Sequence, residues 1–371
     1  MTARRDVFDL VIAGAGPVGL AVAIHARLRG LDAIVLERRR EPLDKACGEG
    51  IMPAGVAALE SMGVSLAGID RRPFHGIRYV EDGIVAEGRF PGPPGLGLRR
   101  TGLEHALLAR ARELGAVVRT GSPLEGWEIC ETGVSVNTPE GTICGALLVG
   151  ADGLHSRIRR LAGLDRQPRP WLRSPSRYGI RRHFAARPWS DLVEVHLADG
   201  AEAYVTPVGP ETVSVAVLFT TRPAELRRSG TAASGTGPNY DALPGRFPAL
   251  QERLAGAEPL DRVRGAGPFR QRVRARTSDR VALVGDAAGY VDALTGQGIE
   301  LGFAAAEALA DIVRSGAPLL RYEAVYRRIT RRYYVGAEIL LRGTRRGLIR
   351  RGLVRVLRSA PAVFDRAVGA L

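Results

Sequence analysis

The feature that most limits what this chain can fold into is a glycine turn set between a strand and a helix. Phe8-Asp9-Leu10-Val11-Ile12-Ala13 is an apolar run of strand length, and Gly14-Ala15-Gly16-Pro17-Val18-Gly19 follows at once. From Val18 to about Arg29, Leu20, Ala21, Ala23, Ile24 and Leu28 keep a mostly helical apolar spacing, and Gly30 ends it. Ala33 to Leu36 reads as a second strand, closed by Glu37 and followed by Arg38. The result is a βαβ unit with an acidic residue about 20 positions after the glycines, a dinucleotide-binding pattern. Gly14 allows the tight turn, Gly16 lets backbone approach a pyrophosphate, and Gly19 lets helix pack closely on strand. Pro17 and Val18 open the helix, whose free N–H groups face phosphate charge. Glu37 can accept hydrogen bonds from a ribose diol, and Arg38 is counted with it as a cofactor contact.

Two later turns repeat the strand-then-glycine design. Leu147-Leu148-Val149 runs into Gly150-Ala151-Asp152-Gly153. Arg280 to Val284 runs into Gly285-Asp286-Ala287-Ala288-Gly289, followed by Thr295-Gly296-Gln297-Gly298-Ile299 and a helix to about Val313. Each turn alone is a weak signal, but their order and spacing narrow the dinucleotide to FAD. A second GxGxxG does not occur; Gly265-Ala266-Gly267 comes nearest, with Arg270 where the third glycine should stand. NAD(P)H is therefore expected as a transient visitor without a domain of its own.

Composition excludes several classes. At 371 residues, 45% hydrophobic and 25% charged, the chain has the make-up of a soluble globular protein of two intertwined domains. Aromatic content of 6% and the lack of a recognition motif argue against nucleic acid as partner. The net charge is +14, and Lys45 is the sole lysine among the basic residues. Arginine-favouring codons explain that charge, or else attraction to anionic cofactors or membrane surfaces does. Cys47, Cys130 and Cys144 are scattered, so neither a metal site nor a disulfide framework is expected, and a reducing cytoplasmic setting fits. Neither a signal peptide nor a spanning helix is expected.

The loop Asp44-Lys45-Ala46-Cys47-Gly48-Glu49-Gly50-Ile51-Met52-Pro53, taken with the three turns, resembles the FAD-dependent aromatic hydroxylase superfamily (the p-hydroxybenzoate hydroxylase fold), in the branch shared with geranylgeranyl reductases. The resemblance implies that Cys47, Gly48, Gly50 and Ile51 lie near the isoalloxazine, although Cys47 also fits as a small buried residue. Glu49 reads as a proton relay or as a solvated loop charge. Arg100, opening a helix through Leu114, matches the family arginine that contacts FAD phosphates or ribityl; an exposed arginine is the competing reading. Asp152 matches the aspartate that helps place FAD and pyridine nucleotide, with Ser156 and Arg157 at the usual small polar and basic positions. His155 reads as a loop or capping side chain. Asp286 would meet the ribityl chain and pyrophosphate. Gly296, Gln297, Gly298 and Ile299 would sit under the flavin pyrimidine, where a helix N-terminus stabilises negative charge. Three departures from typical hydroxylases (Gly289 for His, Leu294 for Pro, Glu300 or Leu301 for Asn) lean toward the reductase branch and bear on the reaction rather than the cofactor.

The expected fold class is α/β: a Rossmann-type FAD-binding domain over 1–69, 98–165 and 270–320, interleaved with an antiparallel substrate sheet over 70–97 and 166–269, and a helical tail over 321–371. Val193 to Leu197, Ala203 to Thr206 and Thr212 to Phe219 read as strands that roof the flavin and line a mostly apolar pocket. His183, His196 and Tyr204 are its polar candidates, and Ser229 to Asn239 reads as a flexible loop. In the tail, Ile349, Leu353, Val356 and Leu357 fall opposite Arg351, Arg355 and Arg358; that helix packs on the FAD domain or rests on a lipid surface.

These readings favour a monooxygenase. NAD(P)H reduces FAD, O2 gives a flavin C4a-hydroperoxide, and oxygen passes to a lipophilic or aromatic polyketide or phenolic molecule. The candidate catalytic set is Gly296, Gln297, Gly298, Cys47, Tyr204 and His196, and the chain is expected as a monomer or homodimer, cytoplasmic or membrane-peripheral. The alternative is a reductase of the geranylgeranyl type acting on an isoprenoid double bond. Tyr204-Val205-Thr206-Pro207 lacks the Trp and Phe of the reductases' Tyr-x-Trp-x-Phe-Pro, which tips the choice. A halogenase needs a tunnel lysine and a Trp-x-Trp-x-x-Pro segment, and Trp127, Trp171 and Trp189 stand alone.

Overall fold

A computed structural model describes residues 7–166, 176–221, 244–294, 296–344 and 347–369. The Ser229–Asn239 loop, Trp171 and Thr295 lie outside the described residues. The first strand, Val7–Ala13, sits inside a sheet whose parallel core runs Val281–Leu283, Gly141–Gly150, Val7–Ala13, Ala33–Glu37, Val117–Thr120. Leu10, Val11 and Ile12 are fully buried between flanking parallel strands, in the apolar cluster that also holds Leu20 and Ile24 of the following helix and Val134 and Val136 of the strand Gly133–Thr138. The helix Pro17–Leu28 begins with proline at its first turn, where the missing N–H has no use. It is apolar nearly all round because it lies between the helices Gly298–Arg314 and Arg100–Glu113 as well as against the sheet.

A second sheet forms the roof. Its order is Glu258–Pro259, Ser176–Ala185, Thr212–Thr221, Ala201–Gly209, Val193–Ala198, Gly76–Glu81, Ile84–Arg89, with Arg264–Ala266 also paired to Ser176–Ala185. The expectation of a purely antiparallel sheet needs one correction: Val193–Ala198 runs parallel to Gly76–Glu81, as two pieces distant in sequence meet there. A three-stranded sheet of Gly50–Ile51, Gly95–Leu98 and Arg71–Phe74 joins the flavin loop to this roof.

The tail divides. The helix Leu320–Thr344 straps the third glycine turn: Tyr322, Tyr333 and Tyr334 donate to the carbonyls of Leu283 (3.2 Å), Asp292 (2.7 Å) and Gly289 (3.4 Å). The helices Gly347–Ser359 and Pro361–Gly369 pack instead on the roof strands Gly76–Glu81 and Ile84–Arg89, not on the FAD-binding sheet.

Candidate active site

The three glycine turns, far apart in sequence, meet at the carboxyl end of the parallel strands. Ala151 N donates to Ala13 O at 2.8 Å, and Val284 N donates to Gly150 O at 3.0 Å. Gly14 has φ +110°, and a Cβ there would stand 2.5 Å from Ala151 O. At Gly19 a Cβ would stand 1.9 Å from Gly14 O, so any side chain would push the helix off the turn. Val18 wedges under Gly285 and Gly302, joining the first turn to the third. Arg159, 1% exposed, completes the junction: it reaches Ala287 O (3.2 Å), Leu154 O (3.1 Å), Gln271 (2.9 Å) and Asp165 (2.8 Å). Nothing in the sequence set Arg159 apart from Arg157 or Arg160 beside it.

The crevice between these turns has the donor set for a flavin dinucleotide. Arg100 reaches over Gly16, its Nη2 3.6 Å from where a Cβ would be, and its buried Nε has no partner among the described residues. Lys45 lies beside Gly153, Glu37 and Asp286 without an ion-pair partner among the described residues; burial and the Arg100 charge lower its pKa. Two unneutralised cations over a helix N-terminus are what a pyrophosphate requires. Asp286 faces the same space; burial raises its carboxyl, with Arg100, Lys45 and Arg159 opposing. Glu37 Oε2 accepts from Ala15 N and Oε1 from Arg39 N, both at 3.0 Å, so it braces the turn as well as facing the crevice. Arg38 is exposed. Asp152 Oδ2 accepts from Arg157 N (2.6 Å) and Ile158 N (3.1 Å) at the start of the helix Arg157–Leu161, while its buried Oδ1 has no partner among the described residues. His155 Nε2 lies 3.0 Å from Gly267 O.

The loop Cys47–Ile51 runs beneath the roof. Thr206 Oγ1 donates to Gly48 O at 2.8 Å, and Cys47 Sγ accepts from Glu49 N at 3.4 Å. Glu49 is neither solvated nor free. It is 3% exposed at φ 60°, and its Oε1 accepts from Arg100 N at 2.8 Å. His183, Arg181, Asp44 and Asp261 surround it in one buried ionic network, with Arg181 bonded to Asp44 and, at 2.6 Å, to Asp261. Beside the third turn, Gln297 immediately precedes the helix Gly298–Arg314, with Gly296 at φ +70° before it and Ile299 in the helix's first turn. Glu300 lies in that turn; burial raises its carboxyl to about 7, and its Oε2 has no partner among the described residues.

Register decides which roof residues face the flavin loop, since cross-strand partners share a face. Tyr204 pairs with Ala216, which pairs with Arg181; Thr206 pairs with Ser214, which pairs with His183. The roof face over the loop is thus largely polar, which corrects the expected apolar lining. A second buried cluster lies there: Arg177 bridges Asp292 (2.8 Å) and Glu202 (3.2 Å), and the Tyr204 hydroxyl stands 3.1 Å from Glu202 Oε2 and 3.0 Å from Leu294 O. His196 is the other correction. It pairs with Ala203, which packs with Phe247 and Leu250 on the far face. There it meets Glu194 at 3.2 Å. Burial would raise the Glu194 carboxyl, but His196, Trp189 and Arg78 together hold it at about 2. The alternation of strand side chains set this, and an unpaired strand sequence cannot show which face is inward.

Comparison with known proteins agrees with this geometry. The model of the FAD-binding domain family matches residues 7–317, so the chain belongs to that family and is a flavin-dependent oxidoreductase. Among its relatives, the menaquinone reductase of Mycolicibacterium smegmatis is 29% identical over 83% of this chain and 76% of its own length. The 12-dehydrotetracycline 5-monooxygenase/anhydrotetracycline 6-monooxygenase of Streptomyces rimosus is 29% identical over 80% of this chain, which spans only 60% of that protein. In fold, a flavoprotein/dehydrogenase from Cytophaga hutchinsonii superposes with a TM-score of 0.78 at 18% identity, covering 98% of this chain and 95% of that one.

Proposed function

We propose that the protein is an NAD(P)H-consuming, FAD-dependent monooxygenase that hydroxylates a lipophilic, aromatic or polyketide-like small molecule with O2. The observation that carries this reading is the clamp between roof and flavin loop. Thr206 holds Gly48 at 2.8 Å, His183 holds Glu49 at 2.5 Å, and a Cβ at Gly97 would stand 1.9 Å from Pro207 O. A roof seated this closely keeps water from the reacting centre, which oxygen transfer to a substrate needs more than simple reduction does. Bound FAD supplies the redox chemistry. Lys45 and Arg100 would hold its phosphates, Asp286 its ribityl hydroxyls, and the Gly296-Gln297-Gly298 turn would face the pyrimidine edge. Tyr204 is the candidate polar contact to substrate, with Cys47 beside the ring. The relative that acts on 12-dehydrotetracycline and anhydrotetracycline supports the substrate class. The division into FAD-binding and substrate portions at residues 70, 98, 166 and 270, and a cytoplasmic setting, belong to the same proposal.

One observation favours a reductase as the second reading. Tyr204 has one hydroxyl hydrogen but two acceptors near 3 Å, Glu202 and Leu294 O. Both contacts are satisfied when Glu202 carries a proton, and burial raises its carboxyl in that direction. A stored proton beside the flavin turn suits reduction of a double bond, which consumes a hydride and a proton. Turnover of a polycyclic phenol and of an isoprenoid quinone under heavy-isotope O2 decides between the two. A product carrying the label supports the monooxygenase; an unlabelled product heavier by two hydrogens replaces it with the reductase.

A further inference from the structure

We infer that the helix Gly347–Ser359 is a docking surface for an anionic lipid bilayer. One third of this helix faces the roof: Val354 and Leu357 pack on the strands Gly76–Glu81 and Ile84–Arg89, and Arg350, 3% exposed, pairs with Glu81 and Asp199, both at 2.7 Å. At 100° per residue the remaining surface splits in two. One sector carries Leu348, Ile349 and Val356, which are 86%, 46% and 60% exposed, and Gly352 lies between them. The adjoining sector carries Arg351, Arg355 and Arg358, all exposed. Arg351 pairs with Asp82 at 2.9 Å, while Arg355 and Arg358 have no carboxylate partner among the described residues. Between Glu338 and Asp365 the sequence has seven arginines and no acidic residue.

This arrangement has a physical direction. Folding places a charged arginine on the buried face and leaves apolar side chains outward, the reverse of what an isolated globular domain gains from. An exposed apolar sector flanked by unpaired guanidinium groups matches the boundary of an anionic membrane, with acyl chains under the one and headgroups beside the other. Among the described residues no helix is long and apolar enough to cross a membrane, so the contact is interfacial. The inference leans on the proposed function in one respect: a lipophilic substrate is concentrated in the bilayer.

Flotation of the holoprotein with vesicles tests it. Binding is expected to vesicles of phosphatidylcholine mixed with phosphatidylglycerol, not to phosphatidylcholine alone, and is expected to weaken with added salt. Each of Arg355→Glu and Arg358→Glu should lower partitioning by at least about fivefold. The pair Leu348→Asp with Val356→Asp should abolish it, with flavin absorbance and melting temperature unchanged. Equal binding to both vesicle types, or none to either, overturns the inference. So does a concentration-dependent dimer by light scattering that the Leu348→Asp variant dissolves, since the sector would then be covered by a second copy. Vesicle binding with no oxygenated or reduced product would instead remove the proposed function and leave this surface standing.

Discussion

His183 stands between two carboxylates: its Nε2 is 2.5 Å from Glu49 Oε2, and its Nδ1 is 2.7 Å from Asp261 Oδ2. Nδ1 also lies 2.9 Å from Arg181 Nη1, so the ring joins both carboxylates and the guanidinium in one cluster. With Arg181 it ties a roof strand to the loop that carries Cys47 and Gly48. Burial alone would raise the Glu49 carboxyl, but the hydrogen bond and charge of His183, then Arg181, hold it below the ordinary glutamate range. A depressed carboxyl stabilises the fold above its unfolded pKa and loses that contribution as pH falls through the folded value. Unfolding by denaturant across acid pH should therefore show stability falling below about pH 4.5. Glu49→Gln should cost about 3 kcal/mol at neutral pH and flatten the acid limb; an unchanged acid limb would remove Glu49 from this role.

Lys45 should be a phosphate contact. Replacing it with Met removes one of the two unpaired cations of the crevice without touching a hydrogen bond seen in the fold. A charged hydrogen bond is worth roughly 1.5–3 kcal/mol, so FAD affinity by fluorescence titration should drop at least about tenfold. Lys45→Arg should recover part of it. Equal affinity in all three proteins would place the side chain outside the phosphate site.

Gly14 and Gly16 should fail differently. Gly14→Ala puts a Cβ 2.5 Å from a carbonyl oxygen at φ +110° and should lower the stability of the apoprotein by about 2 kcal/mol or more. At Gly16 the nearest atom to a Cβ is Arg100 Nη2 at 3.6 Å, so the fold has room there. Gly16→Trp should leave the apoprotein melting point nearly unchanged and yield colourless protein. Yellow Gly16→Trp protein would falsify the phosphate cradle.

Glu300 supplies a pH signature near neutrality. Burial raises its carboxyl to about 7, with Gln297 opposing. The folded state then holds a proton that the unfolded state has released, so this group's contribution is lost as pH rises from about 4.5 to 7. Glu300→Gln should raise stability at pH 8 by on the order of 1–3 kcal/mol and leave it unchanged at pH 4. Melting curves at the two pH values read this directly, and an equal gain at both would point to packing rather than titration.

The nucleotide half was legible because its chemistry is local. A strand, a Gly14-to-Gly19 turn, a helix opened by Pro17 and an acid at Glu37 lie within one short stretch, and each step follows from backbone sterics over a few residues. The turns at Gly150 and Gly285 were legible for the same reason. The clusters around Glu49 and Glu202 were not. Their members are separated by as many as 217 residues, as in Asp44 and Asp261, and a charged side chain alone does not announce its partner. Lys45 was noticed only as a rarity, because its value lies in the absence of a neighbouring carboxylate.

By itself the sequence determined the cofactor class, the parallel sheet and the residues of the glycine turns, since hydrophobic period and glycine spacing dictate those through short-range geometry. Only the tertiary structure decided which way faces turn. Strand register put His183 and Tyr204 over the flavin loop and sent His196 to the opposite side. Packing on the roof rotated the helix Gly347–Ser359 so that Arg350 is buried in ion pairs while Leu348 and Val356 look outward. Alternation and periodicity specify that a face exists; its direction depends on what the rest of the chain places against it.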